Sequence, residues 1–431
     1  MLVSLLEKNY FKISKMPKLN KLTSLLALTI IGSLTVKSNA APVIEAPATP
    51  VPTRALVNPS FEYPAYSDRN WKSLDSYIPG DENTLQGWFS THPTSGYSGA
   101  GSSRYKDANG NPFKHLVELW VNAFGGVEAP DGNQFAELNA QADSALYQDI
   151  LVFSKETIPW SASHRGRSNK SIADIAEVFI SDPLDWTEAT FSGDKLYSAI
   201  LSTSNNGTIS LIEPTIGSIT NSSAKENLPN GWRKYSDTWA GPSSTKKYRF
   251  AFQSISTAGG DNTVGNFLDD IQIKLSPIVD LVDPNIEQVH PLQESIYYLP
   301  VRINGESESS ATVEIDVSLG GEDFSDYTVE TPVSGSNTDV LNGVTASKLD
   351  NGNIQVTIPP NLYDPNNPDY YISIPINFDQ VTSLENQEAI FKVENVAGGG
   401  GQGVKDLLIP PPDSGFKVEL KTKVLAAAFS D

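Results

Sequence analysis

Short runs of β-forming residues that alternate between apolar and polar side chains constrain the fold of this chain most. A period of two places every second side chain on the same face of a strand. Gly, Asn or Pro bounds the runs, and helical periodicity is almost absent, so the sequence predicts an all-β protein. The predicted strands are residues 117–121, 135–140, 145–152, 176–180, 208–212, 247–255 and 267–275, then 295–303, 311–319, 354–358, 370–378 and 389–395.

The tryptophans indicate where the chain divides. All seven precede Pro277, and beyond it Val and Ile carry the alternation. A chain of 431 residues is long enough for two domains, each with its own core. We expect two antiparallel β-sandwiches, as in jelly rolls and immunoglobulin-like domains. Their predicted limits are 54–276 and 285–396, with a joint at 277–284 and a Gly/Pro-rich tail at 397–431 that contains one further candidate strand.

The N-terminus has the pattern of a secretory signal. Residues 1–21 carry five Lys and one Glu, an apolar stretch follows at 22–36, and small residues precede Ala41. The prediction is a signal peptide at 1–40, a Pro/Ala linker at 41–53, and a secreted or cell-surface product. A membrane anchor is the alternative, but the apolar run falls short of the roughly 20 residues that span a bilayer. We expect no membrane span after the signal is removed.

Charge and composition exclude several classes of protein. Asp and Glu number 51 against 31 Lys and Arg, which argues against nucleic-acid binding through a basic surface. The absence of Cys excludes disulfides, thiolate metal sites and a Cys nucleophile. Gly-rich phosphate loops, the GxSxG elbow and the HExxH zinc motif are also missing. A glycoside hydrolase remains open, because two carboxylates suffice for that reaction and leave no short motif.

A series of motifs runs through the first half of the chain. These are NPSFE (58–62), GW (87–88), VELW (117–120), APDGNQFAELNA (129–140), HRGR (164–167) and GNFLDDI (265–271). Their order resembles the galactose-binding-like jelly rolls of bacterial secreted and surface proteins, which are relatives of carbohydrate-binding modules. The resemblance covers residues 54–275. It implies a jelly-roll sandwich, carbohydrate as the ligand, and a structural Ca²⁺ beside the neighbouring first and last strands.

The residues at the position of that ion are consistent with calcium. Glu62 lies on the opening strand, and Asp269 or Asp270 lies on the closing one. Their carboxylates are the hard oxygen ligands that Ca²⁺ requires. The alternative is that these side chains are exposed strand ends or cap loops.

A sugar site needs an aromatic ring for the apolar face of a pyranose and polar groups for its hydroxyls. Core packing is the alternative for any single Trp, and an internal ion pair is the alternative for the two Arg of HRGR. The candidate ligand-binding residues are Trp88, Trp160, Glu118, Gln134, Arg165 and Arg167.

The second half resembles Calx-β-type sandwiches through GGEDFSDYTV (320–329), IQVTIPPN (354–361) and residues 370–395. That resemblance implies Ca²⁺ bound by clustered acids at one end of the sandwich, here Asp379, Glu385 and Glu388. Phe378 departs from the pattern, since it stands where one acidic residue of the family's pair would be. Acidic loops that keep an exported protein soluble are the alternative.

The function predicted from these features is non-catalytic binding or adhesion outside the cell, with the jelly roll recognising carbohydrate or a surface glycan. One alternative is a structural or matrix protein that binds protein partners. A second alternative is an exported carboxylate-dependent glycoside hydrolase. The sequence makes no prediction of the oligomeric state.

Overall fold

A computed structural model describes the chain from residue 54 onwards, with gaps, and all of these residues belong to one compact unit. No helix within them is long and apolar enough to cross a membrane. The predicted signal peptide and linker lie outside the described residues. The described ranges are 54–68, 70–97, 102–107, 109–167, 172–187, 190–191, 193–208, 224–281, 289–290, 296–320, 327–334, 343–360, 362, 371–378, 387–401, 406, 408–409 and 415–422.

The first half forms strands β1 to β14 and four short 3₁₀ turns. The strands are β1 Trp71–Asp75, β2 Phe89–Ser90, β3 Leu116–Val121, β4 Gln134–Glu137, β5 Ala145–Val152, β6 Ile158–Arg165, β7 Asp174–Ser181, β8 Trp186–Thr187, β9 Thr190–Phe191, β10 Tyr197–Thr203, β11 Ala224–Asn227, β12 Arg233–Trp239, β13 Lys246–Ser256 and β14 Phe267–Ile273. The 3₁₀ turns are Ser103–Tyr105, Phe124–Gly126, Pro183–Asp185 and Pro229–Gly231.

Two antiparallel sheets make the first sandwich. One has the order β1-β3-β4-β14-β6-β12-β11, and the other has the order β10-β7-β13-β5-β2. Leu119, Ala136 and Leu268 from the seven-stranded sheet and Val178 and Phe252 from the five-stranded sheet are buried in the core between them. Since side chains alternate along a strand, the neighbours of these core residues point to the outer faces of the two sheets.

The second half forms two further sheets. Their orders are β15-β17-β23-β19, with β20 also on β23, and β16-β25-β24-β18-β22-β21. Tyr297 and Phe391 stack in their shared apolar core with ring centroids 5.4 Å apart. The strands are β15 Ile278–Leu281, β16 Val289–His290, β17 Ile296–Asn304, β18 Ala311–Gly320, β19 Tyr327–Val329, β20 Val333–Ser334, β21 Thr345–Lys348, β22 Ile354–Ile358, β23 Ile372–Phe378, β24 Gln387–Gly398 and β25 Gly415–Thr422.

The all-β class predicted from the sequence is confirmed. The predicted joint at 277–284 differs, because Ile278–Leu281 pairs with β17 as an edge strand of the second sandwich. The run at 208–212 extends past the described residues. In the tail, Gly415–Thr422 pairs with β24 and includes the candidate strand of that segment.

Candidate functional site

The outer face of the seven-stranded sheet brings together charged and aromatic side chains from distant parts of the chain. Leu119 and Ala136 face the core, so their neighbours Glu118, Trp120 and Glu137 face outward. The pairing of β1 with β3 sets Trp71 opposite Trp120, and that of β3 with β4 sets Glu118 opposite Glu137. Arg104 and Arg167 reach these positions from loops. The outer-face cluster is Trp71, Arg104, Glu118, Trp120, Glu137 and Arg167.

Two carboxyl groups lie at the centre of this cluster. Glu137 accepts hydrogen bonds from Arg167 Nη1 at 2.7 Å, Trp120 Nε1 at 2.9 Å and the backbone N–H of Gly265 at 2.8 Å. Glu118 is 4 % exposed and accepts a long hydrogen bond, 3.4 Å, from Gln141 Nε2. Because directly opposite residues of antiparallel strands have Cβ atoms only about 5 Å apart, these two carboxyl groups interact strongly.

The electrostatics of the pair keep one proton on it near neutral pH. Burial, and then the charge of Glu137, raise the pKa of Glu118 to about 8. Burial also raises the pKa of Glu137, while Arg167 opposes that shift. The guanidinium of Arg167 thus balances the carboxylate of Glu137, and the carboxyl group of Glu118 is neutral. A protonated carboxyl can donate a hydrogen bond and its ionised partner can accept one, which suits a ligand with hydroxyl groups.

The accessible edge of the cluster is aromatic. Trp71 is half-buried, with the Arg104 guanidinium 5.8 Å from its ring and Tyr105 packed beside it at 6.3 Å. Trp120 is covered by Phe124 at 4.9 Å and by the guanidinium of Arg167 at 4.6 Å. Trp71 therefore offers the aromatic surface that a ligand could reach, while Trp120 belongs to the buried apolar cluster against which Trp71 packs.

The predicted tryptophan platform is not formed by Trp88 and Trp160. Trp88 has no exposed surface and donates from Nε1 to the carbonyl of Asn58 at 2.8 Å. Trp160 is 2 % exposed and donates to the hydroxyl of Tyr197 at 3.0 Å. Both belong to the core between the sheets, so neither has a ring face free for a sugar. The core-packing alternative holds for these two residues.

Gln134 and Arg165 are also internal. The amide of Gln134 is fully buried and donates to the carbonyls of Phe61 and Pro64, so it holds the opening segment against β4. Arg165 donates to the carbonyls of Asn230 and Gly166. Of the two predicted arginines, only Arg167 forms the internal ion pair, with Glu137. The predicted binding residues that reach the outer-face cluster are thus Glu118 and Arg167.

Glu62 and Asp269 both bind the segment 131–134, but Glu62 precedes β1 rather than lying on a strand, and β1 and β14 are not neighbours in the sheet. Glu62 Oε1 accepts from the backbone N–H groups of Asn133 and Gln134 at 2.7 and 2.8 Å. Asp269 is fully buried, and its Oδ2 accepts from the N–H of Asp131 at 3.2 Å. Its Oδ1 is buried without a hydrogen-bond partner among the described residues. Burial, together with the negative charges of Asp131 and Asp270, raises the pKa of Asp269 well above its ordinary range.

The other predicted metal ligands are placed differently. Asp270 faces Lys234, whose Nζ lies 2.6 Å from its Oδ2, so this carboxylate is already compensated. In the second sandwich, Glu388 lies on β24, whereas Asp379 and Glu385 lie outside the described residues. Within the described ranges, no three His, Asp or Glu side chains group around a common metal position. A calcium site at Asp269 would thus depend on backbone or water oxygens for most of its ligands.

A separate cavity of about 630 Å³ lies where β12 ends and β13 begins. Trp239 and Tyr248 wall it, and Asp182, Asp185 and Asp194 stand at its margin. Asp182 is paired with Lys246. The cavity shares no residue with the outer-face cluster and includes none of the residues predicted from the sequence.

Sequence reasoning missed Trp71, Arg104 and Glu137 as site residues. Trp71 and Trp120 are 49 residues apart, and only the register of β1 against β3 makes them neighbours. The alternation in VELWV and QFAE does indicate that Glu118 and Glu137 each face away from their apolar neighbours. It does not indicate that the two strands are adjacent.

Comparison with known proteins finds likeness only to solved structures. The chain matches no family model and no curated protein sequence. The N-terminal CBM22-1-CBM22-2 tandem domain of Xyn10C from Paenibacillus barcinonensis aligns over 74% of this chain and 94% of its own, with 12% identity and a TM-score of 0.24. A cohesin module of a family 33 glycoside hydrolase from Clostridium perfringens aligns over 34% of this chain and 97% of its own, with 12% identity and a TM-score of 0.23.

A cleaved adhesin domain of Lys-gingipain from Porphyromonas gingivalis aligns over 50% of this chain and 95% of its own. The identity is 15% and the TM-score is 0.21.

Proposed function

We propose that this protein is a non-catalytic binding protein, secreted or held at the cell surface, that recognises carbohydrate through the outer-face cluster. The observation that carries the proposal is the half-buried ring of Trp71 beside polar groups that β3 and β4 hold in place. An apolar ring face next to hydrogen-bonding groups matches the two sides of a pyranose. The proposed location outside the cell rests on the N-terminal sequence pattern.

The geometry of the carboxyl pair favours binding over hydrolysis. Glycoside hydrolases hold their two carboxyl groups about 5–9.5 Å apart, with the scissile bond between them. Here Glu118 and Glu137 lie directly opposite each other on β3 and β4, and Glu137 already accepts hydrogen bonds from Arg167, Trp120 and Gly265. Glu137 is therefore not free to act as a nucleophile or a base in such a reaction. We propose that Glu118 positions a sugar hydroxyl.

A glycan array of the full chain tests this function. We expect binding to a limited set of glycans, and we expect each interaction to be competed by the free glycan. Binding to none of them, with the protein shown to be folded by its circular dichroism, would contradict the proposal. The second sandwich is proposed to act as a spacer, so a variant altered only in its exposed strand residue Lys348 should give the same array result.

We also propose a structural Ca²⁺ at Asp269, supported by its buried Oδ1, which has no hydrogen-bond partner among the described residues, and by Glu62, which binds the same segment 131–134. An ion that binds only the folded state stabilises it by RT ln(1 + [Ca²⁺]/Kd), so chelation should lower the melting temperature by about 5 °C. The Asp269→Asn variant should have the same melting temperature with and without EDTA. The melting temperature of Asp270→Asn should still fall in EDTA, because Asp270 is paired with Lys234. An unchanged melting temperature of the wild-type protein in EDTA would count against the ion.

A further inference from the structure

Arg104 differs from every other arginine that the structure describes. Arg54, Arg167, Arg249 and Arg302 form ion pairs with Glu or Asp. Arg165 and Arg233 donate to backbone carbonyls instead. Arg104 is exposed, and its guanidinium has a ring contact with Trp71 but no ion pair or hydrogen-bond acceptor among the described residues.

The surroundings of Arg104 are basic although the protein is acidic. The whole chain has a net charge of −20, with 51 acidic against 31 basic residues. The loop that carries Arg104, residues 102–115, has three basic residues and one acidic residue. That one acid, Asp107, is engaged by the backbone N–H groups of Asn109 and Asn111 within its own turn. The loop therefore carries a net positive charge at the accessible edge of the outer-face cluster, beside Asp75 of β1, which accepts from the N–H groups of Lys114 and His115.

The charges deeper in the cluster do not neutralise Arg104. Arg167 is matched by Glu137, at 2.7 Å. Glu118 is the remaining acid of the cluster, and burial together with Glu137 keeps it protonated below about pH 8. At neutral pH the six residues of the outer-face cluster thus carry one net positive charge, at Arg104. A guanidinium binds carboxylate or sulfate oxygens through parallel N–H bonds, and these bonds are about twice as strong as those to neutral acceptors.

We propose that the ligand of the outer-face cluster is an anionic carbohydrate, whose acidic group is bound by Arg104 while a sugar ring stacks on Trp71. This inference rests on the proposed carbohydrate-binding function and names the class of sugar. Carboxylate and sulfate share the chemistry that Arg104 recognises. The 5.8 Å contact between the guanidinium and the Trp71 ring places both groups where one saccharide unit can touch them.

The test compares soluble polysaccharides that differ in charge. The full chain is titrated calorimetrically with polygalacturonate, with dextran sulfate and with neutral dextran at low salt and at about 0.5 M salt. We expect the anionic polymers to bind, and their affinity to fall with salt because the contact is partly exposed. The stronger of the two identifies the acid group as carboxylate or sulfate. Arg104→Ala should weaken that binding about 10- to 100-fold, the loss expected for one charge-assisted contact.

Lys247→Ala is the matched control, since it removes one exposed positive charge from β13 on the opposite sheet. It should leave the affinity unchanged. Equal weakening by both variants would overturn the inference, because it would show a response to net charge alone. If dextran or other neutral glycans bind at least as tightly as the anionic ones, the inference fails while the proposed function stands. If no carbohydrate binds, the proposed function itself fails.

Discussion

Replacing Arg54 with alanine is expected to lower the free energy of unfolding by about 3–5 kcal/mol, because it leaves a buried carboxylate without its partner. The side chain of Arg54 is fully buried and forms two hydrogen bonds to Glu156, at 2.6 and 2.9 Å. It also donates to the carbonyls of Ser276 and Leu151, at 2.8 Å each. After the substitution, the hydrogen bond to Glu156 that remains among the described residues is the one from the backbone N–H of Phe153.

The position of Arg54 in the chain explains why the effect should be large. Its guanidinium lies against the end of the first sandwich at Ser276, and its backbone N–H donates to Asn304 Oδ1 of β17 at 2.9 Å.

Urea denaturation measures the loss of free energy of unfolding in Arg54→Ala. The double variant Arg54→Met with Glu156→Leu should recover more than half of it, since removing both charges leaves none buried and unpaired. A loss below about 1 kcal/mol in the single variant would show that the contact is not important for stability.

The second large effect is a fall in stability as the pH rises. The pKa of Glu118 is raised from 4.5 to about 8 in the folded state, so between these values the folded protein holds a proton that the unfolded chain has released. Stability must then decrease with pH across this window, at up to about 1.4 kcal/mol per pH unit, and become constant above it. The total expected from Glu118 is about 3–5 kcal/mol between pH 5 and pH 8.5.

Glu118→Gln should remove this dependence of the free energy of unfolding on pH, because the amide cannot ionise. We expect the variant to match the wild-type protein at pH 5 and to be the more stable of the two at pH 8.5, as measured by urea denaturation at each pH. Glu226→Gln, an exposed substitution on β11 of the same sheet, is the matched control and should leave the wild-type dependence intact. Parallel curves for wild type and Glu118→Gln would show that Glu118 is ionised throughout.

Local sequence patterns predict many of the strands, because alternation is a local property, but not β1, β10 or β12. The run at 145–152 is β5 without a change of boundary, and the run at 354–358 is β22. Of strand β6, Ile158–Arg165, the sequence predicts only residues 161–163, because Pro159 and the two serines interrupt its apolar pattern. The joint was misplaced for a similar reason, since its prolines obscured a four-residue edge strand.

The site was less predictable because it depends on register between distant strands. Glu118 and Arg167 were identified from residue type, but the partner of both, Glu137, becomes evident only when β3 lies beside β4. Trp88 and Trp160 had the same aromatic character as Trp71, and burial alone separates them. Asp270 has a positive φ of 47° at an irregularity of β14 and pairs with Lys234, whereas Asp269 is buried, and nothing in the sequence indicates that irregularity.

The central claim is that carbohydrate binds at Trp71, and the seven tryptophans provide a matched test. Trp71 and Trp186 are the two that are half-buried: Trp71 lies on β1 of the seven-stranded sheet, and Trp186 lies on β8, which pairs with β9. Trp186 packs on Tyr147 and Phe179 of the five-stranded sheet, with ring centroids 5.1 and 5.8 Å away.

The most direct measurement is calorimetric titration of Trp71→Ala and Trp186→Ala with the glycan that binds the wild-type protein best. The proposed function predicts that Trp71→Ala loses binding while Trp186→Ala retains it. Retained binding in Trp71→Ala, with loss in Trp186→Ala, would place the site at Trp186 and contradict the claim.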